Sequence, residues 1–318
     1  MVFAMAGFGP LPDTQPSSGE AGALERTLQR LARVGSRAVS AVEKRAYAAG
    51  LLSTKQLPLP DFLGIGFMKT GTTWLYENLR SHPDLHLADA KELRYFDTQR
   101  YLQPFARYAE NFRGANGKSK GEISPSYALV PEARVREIRQ LLPDVKLLVL
   151  LRDPVEREWS RVTHAFRKDG RDIRAADDEE IIALLERGTL ASRGGYSGTI
   201  EKWLRHYPAE QLFVGFYEDL QARPQGLLTD VFAFLGVATD VDWERFPYGN
   251  VIVPPNGPQF AGHDQGRGVA VDDGYENSNV YFPETYRKVL LDAYREELRA
   301  LRARFGEAID RWPCAREV

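Results

Sequence analysis

Three short apolar runs constrain most what this chain can fold into: 61–67 (DFLGIGF), 145–151 (VKLLVLL) and 211–217 (QLFVGFY). Each has the length of a strand and ends at a turn. Each is followed by helical spacing. Trp74, Leu75 and Leu79 follow the first, and the pattern stops at Ser81-His82-Pro83. Trp159, Val162 and Phe166 follow the second; the third leads through Glu218-Asp219-Leu220 to a helix ending near Leu235-Gly236. A strand as apolar as 145–151 needs cover on both faces, as parallel strands have. Strands alternating with helices predict βαβ units, an α/β fold and a central parallel sheet flanked by helices. In such sheets ligands bind beyond the C-terminal ends of the strands, so the residues just after these three runs are the ones to read for chemistry.

Composition narrows the function classes. Of 318 residues, 43% are hydrophobic, enough for a sizeable core. Lys and Arg number 42 against 44 Asp and Glu, a net charge of −2, so overall charge does not drive nucleic-acid binding and no nucleic-acid partner is expected. One cysteine, Cys314, excludes an internal disulfide and a cysteine-cluster metal site. Only His82 and His86 have HxxxH spacing; Pro83 interrupts them and the HExxH glutamate is missing, so no metal is expected. No apolar run is long enough to span a membrane, and the first residues lack the positive charge of a signal peptide. A cytoplasmic location is the expectation.

Residues 1–22 read as a flexible arm, Pro-, Ser- and Gly-rich over 10–22. Residues 23–57 read as an amphipathic helical extension, apolar at Leu24, Leu28, Leu31, Val39 and Val42 and basic at Arg26, Arg30, Arg33, Arg37, Lys44 and Arg45. Such a helix docks on its own domain, or lies on an anionic membrane surface or a partner. Residues 237–279 are rich in Gly, Pro, Asn and Asp, without strong periodicity, and are long for a structureless connection; a binding loop is expected there. The spacing predicts a last helix over 283–305.

The turn after the first run is Gly66-Phe67-Met68-Lys69-Thr70-Gly71-Thr72-Thr73. A glycine-containing turn between strand and helix aims backbone N–H groups at an anion, and the helix N-terminus adds partial positive charge. Lys69 adds a full charge, and Thr70, Thr72 and Thr73 add hydroxyls. The order differs from the ATP-binding GxxxxGK[ST] loop: Lys69 precedes Gly71 and Thr72 follows it.

Lys-Thr-Gly-Thr-Thr-Trp resembles the 5′-phosphosulfate loop of sulfotransferases that use 3′-phosphoadenosine 5′-phosphosulfate (PAPS). The segment Leu151-Arg152-Asp153-Pro154-Val155-Glu156-Arg157 is similar to that family's LRDPVER stretch. The resemblance implies that Arg152 and Ser160 hold the nucleotide's 3′-phosphate, and a planar guanidinium fork with a short hydroxyl suits that task. Lys91-Glu92-Leu93-Arg94-Tyr95-Phe96-Asp97 resembles the KE-x-x-FF-D segment of the heparan sulfate branch, with Tyr95 in place of one Phe. It implies that Glu92 is the general base. His164, one helical turn after Ser160, matches a histidine of the N-sulfotransferases of that branch and is a secondary catalytic candidate. Residues 121–127 (GEISPSY) resemble the family's TPSY segment near the acceptor. Tyr196, before Trp203-Leu204, is a candidate for nucleotide or acceptor contact, or for packing. Arg267, in Gly266-Arg267-Gly268, is the candidate for the late basic loop over the nucleotide.

The resemblance spans about 58–312 and implies a P-loop NTPase-like three-layer fold there. It also implies in-line sulfuryl transfer from PAPS to a hydroxyl or amine of a glycan, glycolipid or small molecule, leaving 3′,5′-adenosine bisphosphate, with no metal. Two other readings fit the residues taken alone: a nucleoside-triphosphate-dependent kinase on a related loop, and a non-catalytic nucleotide-binding or scaffold protein docking through 23–49.

Overall fold

The computed structural model describes residues 37–188, 195–249 and 282–318. Its strands are β1 (Phe62–Gly66), β2 (Leu85–Leu87), β3 (Ser119–Ile123), β4 (Lys146–Leu151) and β5 (Leu212–Phe216). They form one sheet in the order β2-β3-β1-β4-β5, every neighbouring pair parallel. Every strand therefore ends at the same edge.

Alternation along β4 shows how the sheet is covered. Leu147, Val149 and Leu151 enter one apolar cluster, Leu148 and Leu150 the other. The second cluster is closed by the helices Thr72–Arg80 and Pro224–Leu235, through Trp74, Leu75, Leu79, Val231 and Phe232. The first is closed by Glu132–Leu141, Pro154–Lys168, Gly195–Leu204 and Glu284–Phe305, through Val135, Val162, Trp203 and Leu298. Helices on both faces of a parallel sheet make the three-layer P-loop NTPase-like arrangement. The three strands read from the sequence are β1, β4 and β5. β3, between β2 and β1, was not legible as a strand because its sequence, SKGEI, has neither an apolar run nor clean alternation.

The helix Arg37–Ala48 docks on the domain and turns ionic groups inward. Ala46 and Tyr47 join the first cluster. The Lys44 ammonium donates to the Tyr101 and Gln103 carbonyls, and Glu43 accepts from Phe105 N and Ala106 N. Burial pushes Lys44 down to about 8. The stretch 23–36 lies outside the described residues. Among the described residues, no helix is long and apolar enough to cross a membrane.

Candidate active site

The turn after β1 is shaped by two left-handed residues. Gly71 has φ 86, a backbone conformation that favours glycine, and a Cβ there would come within 2.5 Å of Leu220 Cδ2, which would have to shift. Lys69 has φ 67, a conformation that costs a non-glycine residue on the order of 1–2 kcal/mol. Thr70 braces the turn: its hydroxyl donates to Phe67 O at 2.7 Å and accepts from Phe67 N at 3.2 Å. Its side chain is therefore spent inside the loop, and what it can offer a ligand is its backbone N–H. Thr72 and Thr73 open the helix Thr72–Arg80.

Two arginines reach the loop from the segment after β4. Arg157 Nη1 donates to Met68 O at 3.3 Å, and Arg152 Nη1 donates to Lys69 O at 3.4 Å. In a trans peptide C=O and N–H point in opposite directions. Engaging these two carbonyls therefore aims the N–H groups of Lys69 and Thr70 away from the arginines, into a concave donor cluster of the kind that binds anions. Burial, helped by Arg152 and Arg167, pushes the Lys69 ammonium down to about 8.

Arg152 is 7% exposed. Its guanidinium lies 4.4 Å from the Tyr217 ring centroid and pairs with Glu156 at 3.2 Å. Asp153 takes no part in that pair. Its carboxylate caps the helix Pro154–Lys168, accepting from Val155 N and Glu156 N, and also accepts from Cys314 N. On the same helix Ser160 is 7% exposed, and its Oγ has no hydrogen-bond partner among the described residues. A buried hydroxyl without a partner costs stability, so this atom fits a site that takes a ligand acceptor. N–H groups, an ammonium, guanidinium groups and a spare hydroxyl together suit phosphate oxygens.

His164, one turn past Ser160, is exposed. Tyr196 is completely buried, packs edge-on against Phe67 at 4.6 Å, and donates to Arg152 O at 3.1 Å. It thus supports Arg152 from behind rather than facing a ligand, because its burial leaves no surface to touch one. Arg267 lies outside the described residues, as does most of the expected binding loop at 237–279. The described chain before that gap is tied down where Trp74 Nε1 donates to Tyr248 O, and after it Phe282 stacks on Trp159 at 4.8 Å, beside Ser160.

The Glu92 segment lies over the helix Thr72–Arg80. Tyr76 of that helix donates to the carbonyls of Ala88 and Asp89. Lys91 is lowered by burial, against the opposing pull of Glu92 and of Glu77 on the same helix. The Glu92 side chain is 29% exposed and lies 3.8 Å from Lys91 Nζ. A pair that open and that long contributes well under 1 kcal/mol, so Glu92 is accessible and not locked. Arg94 pairs with Asp97 at 2.8 Å rather than with Glu92.

Three groups escaped the sequence reading. Arg157 lies inside the quoted LRDPVER stretch, which was its only signal. Tyr217 ends the third apolar run. Glu122, 1% exposed at the end of β3, accepts from Tyr108 Oη, Tyr127 Oη and Ser124 Oγ. Burial outweighs these bonds and pushes its carboxyl up to about 7. Between about 4.5 and 7 the folded protein binds a proton that the unfolded chain does not, so stability falls as pH rises through this window. Glu122→Gln is expected to remove that slope, worth on the order of 3 kcal/mol. Urea unfolding of both proteins across the window measures it.

Residues 59–246, more than half of the chain, match the family described as the sulfotransferase domain. The matched stretch includes all five strands, Lys69, Glu92, Arg152 and Ser160. Mouse heparan sulfate glucosamine 3-O-sulfotransferase 3A1 is 35% identical over 202 residues, covering 62% of this chain and 50% of that protein. The bifunctional heparan sulfate N-deacetylase/N-sulfotransferase 1 of Xenopus tropicalis is 27% identical over 273 residues, covering 80% and 31%. The chain thus spans half or less of these relatives' lengths. The crystal structure of a sulfotransferase from Alicyclobacillus acidocaldarius superposes with a TM-score of 0.55 at 21% identity, covering 77% of this chain and 95% of that one, which shows a shared fold. With the loop, the strand-end arginine and the parallel sheet all inside the matched region, the chain belongs to the sulfotransferase family.

Proposed function

We propose that the protein transfers a sulfuryl group from PAPS to a hydroxyl or amine of an acceptor. The observation that carries this reading is the turn at 67–73, whose carbonyls at Met68 and Lys69 are drawn back by Arg157 and Arg152. That leaves N–H groups, the Lys69 ammonium and the helix N-terminus to receive the 5′-phosphosulfate. Arg152 and the spare Ser160 hydroxyl suit the 3′-phosphate. Gripping the donor at both ends fixes its orientation, which favours in-line displacement. Lys69 stabilises charge on the leaving phosphate oxygen. Glu92, open to solvent beside the loop helix, takes the proton that the acceptor loses as it attacks sulfur. His164, exposed one turn from Ser160, is the secondary acceptor-side candidate. That the relatives are 3-O- and N-sulfotransferases of heparan sulfate favours a sugar hydroxyl or amine as the acceptor class.

Calorimetry with 3′,5′-adenosine bisphosphate tests the donor site. Lys69 is charged below about pH 8 and neutral above it. Affinity is therefore expected to be level below that pH and to fall as pH rises through it, because the cation that meets the phosphate is lost. Absence of binding at neutral pH would reject the reading. Labelled PAPS with a panel of amino and hydroxyl sugars then tests transfer.

A further inference from the structure

The buried carboxylate at the end of β3 is joined to the segment bearing Glu92 by a continuous set of hydrogen bonds. Ser124 Oγ donates to Glu122 Oε2 at 2.7 Å and accepts from Arg94 N at 3.0 Å. Tyr127 Oη donates to Glu122 Oε1 at 2.8 Å and accepts from Tyr95 N at 2.8 Å. Both N–H groups belong to the residues two and three positions after Glu92. We propose that Glu122 is a positioning residue for Glu92: through the hydroxyls of Ser124 and Tyr127 it fixes the backbone of the segment that presents the base. The inference rests on the proposed role of Glu92.

The chemistry explains why a carboxylate stands here. A hydroxyl has one proton and two acceptor sites. To accept an N–H from the segment it must send its own proton elsewhere, and Glu122, ionised above about pH 7, then only accepts. Glu122 gives both hydroxyls a common place to donate, so both are oriented to receive the segment's N–H groups. Tyr108 Oη also donates to Oε1 at 2.8 Å and locks the carboxylate from the third side. Its ring stacks on Tyr95 at 4.5 Å, within the same segment. The groups facing Glu122 are thus three hydroxyls, with Asp97 the nearby charge. Glu122 itself is fully buried and cannot touch an acceptor, so it acts only through its neighbours.

Tyr127→Phe and Ser124→Ala each remove one hydroxyl and leave Glu92 untouched. Hydrogen exchange of the peptide covering 91–97 is expected to rise at least tenfold in both, with the 66–80 peptide unchanged. Turnover is expected to fall about 10- to 100-fold, the scale of a small misplacement of a reacting group, while bisphosphate affinity stays within twofold. Tyr108→Phe removes a donor to Glu122 but no acceptor for the segment, and should give the smallest change of the three. In a Glu92→Gln background the hydroxyl variants should cost little more turnover, because the group they position is gone; an equal loss in both backgrounds would mark a merely structural role and overturn the proposal. Unchanged exchange at 91–97 in Tyr127→Phe and Ser124→Ala would also overturn it, whatever Glu92 does. If exchange rises but Glu92→Gln transfers at the wild-type rate, the base assignment fails and the positioning of the segment stands.

Discussion

Replacing Lys69 by alanine is expected to lower sulfuryl transfer about 10²–10³-fold, the usual cost of deleting one preorganised donor to developing charge. Bisphosphate affinity should fall less than turnover, since Arg152, Ser160 and the backbone N–H groups remain. The asymmetry follows from where the charge is needed. In the bound ground state the phosphate oxygens share several donors, but as the sulfuryl group leaves, negative charge builds on one oxygen, and only interactions that strengthen then accelerate the step. The fold should tolerate the change. Burial and two nearby arginines already disfavour the Lys69 ammonium, so its removal costs little stability. The fall in bisphosphate affinity above about pH 8 should vanish in the same variant. If Lys69→Ala keeps wild-type transfer, or its affinity still falls through that pH, the ammonium is not the group that meets the phosphate.

How much of this site the sequence disclosed depended on whether a signal was local. β1 and β4 are continuous apolar runs, and the groups that follow them, Lys69 and Arg152, are fixed by chain connectivity. Their meeting could be expected because parallel strands end at one edge, and Arg152 Nη1 indeed lies 3.4 Å from Lys69 O. Arg157 carries no such local mark. A charged residue in a helix is ordinarily a solvent-facing one, and only the fold reveals that it is 4% exposed and bonded to Met68 O. Glu122 was harder still. Its strand, SKGEI, is too polar to be read as an interior strand, and its partners are Tyr108, from a separate stretch, and Ser124 and Tyr127 just beyond the strand itself. Tyr196 could be read from the sequence either as a ligand contact or as packing; in the fold its ring is buried whole against Phe67.

Glu92→Gln isolates proton transfer from binding. The amide keeps the shape of the carboxyl, and the ion pair with Lys91 is long and half-open, so little structure depends on its charge. Donor affinity should stay within about twofold, because the groups that suit the phosphates lie on the β1 and β4 turns. Turnover should drop about 10²–10⁴-fold, the range a positioned base contributes. The loss should appear in kcat rather than in KM for the donor, since the carboxylate acts only once the acceptor begins to lose its proton. A more acidic acceptor should narrow the gap between variant and wild type, because such a nucleophile needs less help to deprotonate. Equal losses with acidic and ordinary acceptors, or a parallel loss of donor affinity, would mean that Glu92 serves to hold Lys91 beside Glu77 instead of removing a proton. That outcome would move the search for the base to His164, which is exposed on the helix that carries Ser160.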